Sequence, residues 1–247
     1  MPNINNAYLR YGDQVLFENL SFQLAPGKIT CLLGPSGVGK TTLLKLLAKL
    51  TSVGKHDELH ADIIGADGVA IDLDVAYMAQ EDGLMPWSTV LNNVMLGAKL
   101  RGEKKDIAKA KILLEQVGLT GALNKKPKQL SGGMRQRVAL VRTLMEDKGI
   151  VLMDEPFSAL DVITRLRLQD LAVELLKGKT VLMITHDPLE ALRMSDMVYV
   201  MQGQPATFSE AIIPEGTAPR DASDEKLLAL QGQLLKELSR VDLSLLP

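Results

Sequence analysis

Gly34-Pro35-Ser36-Gly37-Val38-Gly39-Lys40-Thr41 decides how this chain is read. It fits the phosphate-binding pattern G-x-x-x-x-G-K-[ST]. Ile29-Thr30-Cys31-Leu32-Leu33 precedes it, a short apolar run of the kind that forms a buried strand. Thr42 to Leu50 follows and reads as a largely buried helix. Strand, glycine loop and helix are what the chemistry requires. Glycines let consecutive N–H groups point into one concavity, which then attracts an anion. The helix N-terminus adds partial positive charge. The pattern assigns Lys40 to the β- and γ-phosphates of a nucleotide and the Thr41 hydroxyl to Mg²⁺.

Outward from that loop, the N-terminal segment reads as short strands. Ala7 to Tyr11 runs into a turn at Gly12-Asp13, and Val15 to Phe17 and Leu20 to Leu24 follow as two further strands. After the loop, Ile63-Ile64, Val69-Ala70-Ile71 and Val75 to Met78 are strand candidates. From Ser88 to Met145 the pattern turns helical. Val90, Val94 and Leu96 suggest one helix, ended near Gly97 or Gly102. Ile107, Ala110, Leu114 and Val117 mark one face of a second. Ser131 is placed to cap a third, with Met134, Val138, Val141 and Met145 as its buried face. Core strands return at Ile150 to Met153, Thr180 to Ile184 and Val198 to Met201, with a helix from Val162 to Leu176 between the first two. Strands alternating with helices predict an α/β fold with a mostly parallel sheet. Residues 203 to 223 read as loop. Leu227, Leu230, Leu234 and Leu238 then suit an amphipathic helix packed on its own domain, weakened by Gly232.

Composition sets the bounds. The chain has 247 residues, 46% of them hydrophobic, and a formal net charge of −2. That balance opposes bulk electrostatic binding to nucleic acid. One cysteine, Cys31, excludes an intrachain disulfide and sits in a predicted core strand. No apolar run approaches the roughly 20 residues that span a bilayer. Met1 to Asn6 lacks the basic and apolar parts of a signal peptide, so the expected location is cytoplasmic.

Two further stretches carry chemistry. Asp154-Glu155 ends an apolar strand. An acidic pair there, beside a phosphate loop, suits an ATPase: Asp154 to hold Mg²⁺ through its waters, Glu155 to take a proton from water. Taken alone the dipeptide also suits a helix cap. His186, after the next strand, is within reach of a γ-phosphate in such a sheet, although a histidine before Asp187-Pro188 is commonly a turn residue. In parallel sheets, ligands bind at the carboxyl ends of strands, where all three stretches fall. Tyr11 is an aromatic that can stack on a base or simply pack.

Leu130-Ser131-Gly132-Gly133-Met134 with Arg135-Gln136-Arg137 closely resembles the signature sequence of ABC transporter ATPases. With the phosphate loop and Ile150 to Glu155 it covers roughly residues 3 to 215 in unbroken order. The resemblance implies a P-loop NTPase (RecA-like) core with an antiparallel β subdomain and an inserted helical subdomain. It divides the chain into a core of 1–85 and 146–215, a helical signature subdomain of 86–145 and a C-terminal extension of 216–247. It implies ATP and Mg²⁺ as cofactors, and ATP hydrolysis. Gly34, Pro35, Ser36, Gly37, Val38, Gly39, Lys40, Thr41 and Thr42 would bind phosphate, and Tyr11 would stack on adenine. Thr41, Gln80 and Asp154 would hold the metal. Glu155 would be the base, with Gln80 and His186 beside it. Two copies would pack head to tail, each offering Ser131, Gly132, Gly133 and the Asp161 loop to the other's ATP. Val141 and Thr143 stand where such helices often carry alanine, and the segment between Thr51 and Tyr77 looks short for the family.

Gln80 to Trp87, with Thr89 to Val94, looks like the ATPases of the nitrate, sulfonate and taurine importer group. That group includes importers of the pyrimidine precursor of thiamine, towards which Leu96 to Gly102 leans. The partners implied are a separate membrane permease and, indirectly, a solute-binding protein, with no nucleic acid. The implied location is the cytoplasmic face of the membrane. The competing class is a soluble ABC-type ATPase in DNA repair or translation. Its long coiled coil or tandem cassettes have no counterpart here. A P-loop kinase or GTPase would leave Leu130 to Met134 and Gln80 unexplained.

Overall fold

The computed structural model describes residues 3–243 except 53, 55 and 65–73, with the backbone alone at 63, 64 and 240–243. The expected strand Val69-Ala70-Ile71 lies outside the described residues. Two sheets form. A three-stranded antiparallel sheet joins β1 (Asn3–Tyr11), β2 (Gln14–Gln23) and β4 (Glu58–Ile64) in the order β2-β1-β4. A six-stranded sheet adds β3 (Ile29–Leu33), β5 (Val75–Met78), β6 (Ile150–Asp154), β7 (Thr180–Ile184), β8 (Met197–Gln202) and β9 (Thr207–Phe208), in the order β5-β6-β7-β3-β8-β9. All its pairs are parallel except β8–β9. Val15 to Phe17 and Leu20 to Leu24, predicted as two strands, belong largely to one, β2. It stays continuous because Asn19 adopts φ 54, a left-handed conformation asparagine tolerates, as the register against β1 shifts.

The central strands are apolar on both faces because both faces are covered. On β3, Ile29, Cys31 and Leu33 face one core while Leu32 faces the other. Val181 and Met183 against Leu182 and Ile184 repeat the division on β7. The second core is closed by α1 (Lys40–Leu47), which buries Leu43, Leu44, Leu46 and Leu47. Each such leucine stabilises the fold by roughly 1.5–3 kcal/mol. The helix ends earlier than predicted: Lys49 turns left-handed at φ 56 and Leu50 is exposed.

The first core is covered by helices. These are α2 (Val90–Val94), α3 (Leu96–Leu100), α4 (Ile107–Gln116), α5 (Gly132–Met145), α6 (Val162–Leu175), α7 (Pro188–Met194) and α8 (Glu225–Leu243). The single helix expected around Val90 is two. Asn93 is fully buried, and its side chain bonds Met85 O, Ser88 O, Thr89 O and Met85 N, fixing a tight first segment. Gly97 does not end the segment but lies within α3, where its bare Cα faces the Glu146 carboxylate that a Cβ would meet. On α4, Ala110, Leu113 and Leu114 are buried but Ile107 is exposed. α5 buries Val138, Ala139, Leu140, Val141, Thr143 and Leu144, more than one stripe; the Thr143 hydroxyl is satisfied by Ala139 O at 3.0 Å. α8 packs Leu227 and Leu234 into the same core beside α7, and continues through Gly232.

Candidate nucleotide site

The strand order builds the site. β7 lies between β3 and β6, so the loop after β3 crosses to the end of β6. Thr41 Oγ1 donates to Asp154 Oδ2 at 2.8 Å. Lys40 Nζ donates to Gly34 O at 2.8 Å and Pro35 O at 2.7 Å, which folds the lysine back over its own loop. Gly39 has φ 108, and a Cβ there would meet Phe17 at 2.8 Å, so the loop closes on β2 only with glycine. Ser36, Gly37, Gly39, Lys40, Thr41 and Thr42 line a cavity of about 460 Å³ with Tyr11, Gln80, Asp154 and Glu155. Gly34, Pro35 and the buried Val38 support that loop from outside the lining. Gln14 and Leu16 also line it. Neither carries a motif, and only the pairing of β2 with β1 places them there.

At the far end Gln80 Nε2 donates to Glu155 Oε2 at 3.2 Å, and His186 Nδ1 is 3.3 Å from Glu155 Oε1. The loop after β5, the turn after β6 and the turn after β7 thus converge on one carboxylate. Glu155 holds φ 48, a left-handed backbone that costs a non-glycine residue on the order of 1–3 kcal/mol. Its N–H donates to Ile184 O at 2.9 Å.

Electrostatics suit an anion with a cation. Burial lowers the Lys40 pKa, with Glu155 and Asp154 opposing the shift. Burial raises the Asp154 pKa, with the Thr41 hydroxyl acting against it and the Glu155 charge adding to it. Two oxygen donors, a hydroxyl and a carboxylate, suit Mg²⁺, which keeps waters and takes further oxygens from phosphates. Among the described residues no cluster of three or more His, Cys, Asp or Glu could hold a metal, so an all-protein cage is absent there.

Ser131, Gly132, Gly133 and Asp161 do not line this cavity. Ser131 caps α5, its Oγ accepting from Met134 N at 3.2 Å, and Asp161 caps α6, Oδ1 accepting from Thr164 N at 3.0 Å. Gly132 instead borders a neighbouring cleft with Gln80, Gln136 and Ser158. Trp87 is 72% exposed, so it is not a packing residue within this chain.

A glycine loop on a helix N-terminus, facing an acidic strand end in a parallel sheet, defines a P-loop nucleotide-binding ATPase. Residues 17–158 match the ABC transporter family model. The chain belongs to the ABC transporter ATP-binding family, and it is an ATPase of that type. It is 46% identical to an uncharacterized ABC transporter ATP-binding protein of Haemophilus influenzae, over 96% of this chain and 98% of that one. It is 38% identical to aliphatic sulfonates import ATP-binding protein SsuB 1 of Pseudomonas savastanoi pv. phaseolicola, over 96% of each. It is 40% identical to the SsuB 1 protein of Rhodococcus jostii, over 94% of this chain and 91% of that one. Among solved structures it resembles a dimeric bacterial ABC transporter cassette, with TM-score 0.74 and 27% identity over 88% of this chain and 100% of that one. The same figures hold for a post-hydrolysis dimer bound to ADP and phosphate.

Proposed function

We propose that this chain is the ATP-hydrolysing subunit of an importer and powers uptake of a small solute through a separate permease. The supporting observation is the near full-length likeness to subunits named for aliphatic sulfonate import. The solute class is a sulfonate- or nitrate-type anion or a pyrimidine precursor of thiamine, delivered by a solute-binding protein. Among the described residues no helix is long and apolar enough to cross a membrane. The chain then sits on the cytoplasmic face, held by the permease. The core is 1–85 with 146–215, the signature subdomain 86–145, and the extension 216–247.

In this reading Tyr11 stacks on adenine and the backbone of residues 34–42 cradles the phosphates, with Lys40 turning from Gly34 O and Pro35 O to the β- and γ-phosphates. Thr41 and Asp154 would hold Mg²⁺, with Gln80 adjoining it, and when bound the ion would supply charge neutralisation at the phosphates. Glu155 accepts the proton of the attacking water, Gln80 and His186 each meet one of its carboxylate oxygens and so orient it, and His186 touches the γ-phosphate. A second copy, packed head to tail, brings Ser131, Gly132 and Gly133 to that phosphate, with its Asp161 loop alongside. ATP then joins the copies and hydrolysis separates them, as a ligand-biased two-state element requires.

The experiment is copurification followed by reconstitution. A permease that copurifies and gives ATP-dependent solute uptake in vesicles supports the reading. A permease-free chain bound to DNA or ribosomes overturns it.

A further inference from the structure

Gln136 is a polar side chain, 7% exposed, on the second turn of α5, and it is not part of the cavity that holds Lys40. Its amide is fully engaged by one turn of chain. Nε2 donates to Glu155 O at 3.0 Å and to Ser158 Oγ at 3.2 Å, and Oε1 accepts from Ala159 N at 2.8 Å. Ser158 Oγ donates in turn to Glu155 O at 3.2 Å. The turn so held begins at Glu155, whose left-handed φ of 48 needs external support. The same turn touches the start of α5: a Cβ on Gly133 would lie 3.1 Å from Ala159 O.

We propose that Gln136 is a positioning residue for ATP hydrolysis. It fixes the strained Glu155 backbone so that the carboxylate points between Gln80 and His186, and it makes the Ser131–Gly133 end of α5 and the 155–160 turn one rigid unit. A buried amide suits this, because it supplies donors to a carbonyl and a hydroxyl and an acceptor to an N–H at once. The inference rests on Glu155 being the base.

Two variants test it in the full chain with Mg-ATP. Gln136→Met keeps the side chain's length without its polar atoms. Gln136→Glu keeps the acceptor for Ala159 N and loses both donors. Each should lower kcat about tenfold or more, since small displacements of a reacting group cost up to about a hundredfold, while KM and nucleotide affinity stay within about threefold. Folded variants with wild-type kcat, beside an inactive Glu155→Gln control, overturn the inference. An active Glu155→Gln overturns the base assignment itself. If both Gln136 variants fail to fold, Ser158→Ala decides by the same split. It takes one bond from Glu155 O and should lower kcat with nucleotide affinity kept; unchanged kcat overturns the proposal.

Discussion

Thr41 Oγ1 and Asp154 Oδ2 lie 2.8 Å apart although 113 residues separate them in the chain. The hydroxyl stands at the first turn of α1 and the carboxylate at the last residue of β6. Asp154 is buried, and burial raises its pKa. A cation bound by these residues, as proposed, would favour the charged form. Asp154→Asn should raise the Mg²⁺ concentration needed for half-maximal ATPase activity by roughly tenfold or more. An unchanged Mg²⁺ titration would remove Asp154 from the metal site.

Lys40→Ala should weaken nucleotide binding by about 1.5–3 kcal/mol, the usual worth of a hydrogen bond to a charged group. Among the described residues the ammonium bonds loop carbonyls, Gly34 O and Pro35 O, so the melting temperature without nucleotide should change little. Equilibrium binding of a fluorescent ATP analogue, with a thermal melt, checks both. Unaltered affinity refutes the role.

Glu155→Gln keeps the shape of the side chain and removes the proposed base. ATP should bind and persist, and two copies should remain joined, because separation needs hydrolysis in the proposed cycle. Light scattering with Mg-ATP should show a lasting dimer, and single-turnover phosphate release should fall by about a hundredfold or more. Turnover near wild type sinks the assignment.

Trp87 projects from the junction between Gln80 and α2, 72% exposed. We propose that a tryptophan so exposed anchors the chain to the permease. Trp87→Ala should leave stability within about 0.5 kcal/mol, as surface substitutions do. Permease association should weaken by roughly 2 kcal/mol. Normal transport in vesicles carrying the variant would dispose of the anchor.

Glu190 on α7 is buried, and burial pushes its pKa up from 4.5 to about 7. Gln169 Nε2 donates to it at 3.0 Å, Thr185 also bonds it, Asp187 adds to the shift and Arg165 opposes it. The folded protein therefore holds a proton that the unfolded chain has released between these two values. Stability contributed by this group is full below about pH 4.5 and falls as pH rises through about 7. At roughly 1.4 kcal/mol per pKa unit the loss is at most about 3–4 kcal/mol. Glu190→Gln should flatten this part of the stability profile and raise the melting temperature at pH 8. Denaturant melts at several pH values decide it, and an unchanged slope would be the contrary result.

Much of the site was legible from local pattern. The phosphate loop, the apolar runs of β3, β6 and β7, the Asp154-Glu155 pair and the Ser131 cap each depend on neighbouring residues. Spacing and backbone preference specify such features without knowledge of the rest of the chain. What tertiary structure alone decided depends on distant pairing and burial. The insertion of β7 between β3 and β6 sets Thr41 against Asp154. Pairing with β1 carries β2 unbroken through Asn19 and brings Gln14 and Leu16 to the cavity. Trp87 has the composition of a core residue yet stands exposed, while Gln136 has that of a surface residue yet lies buried. In both cases side-chain chemistry is indifferent between two placements, and tertiary packing selects one.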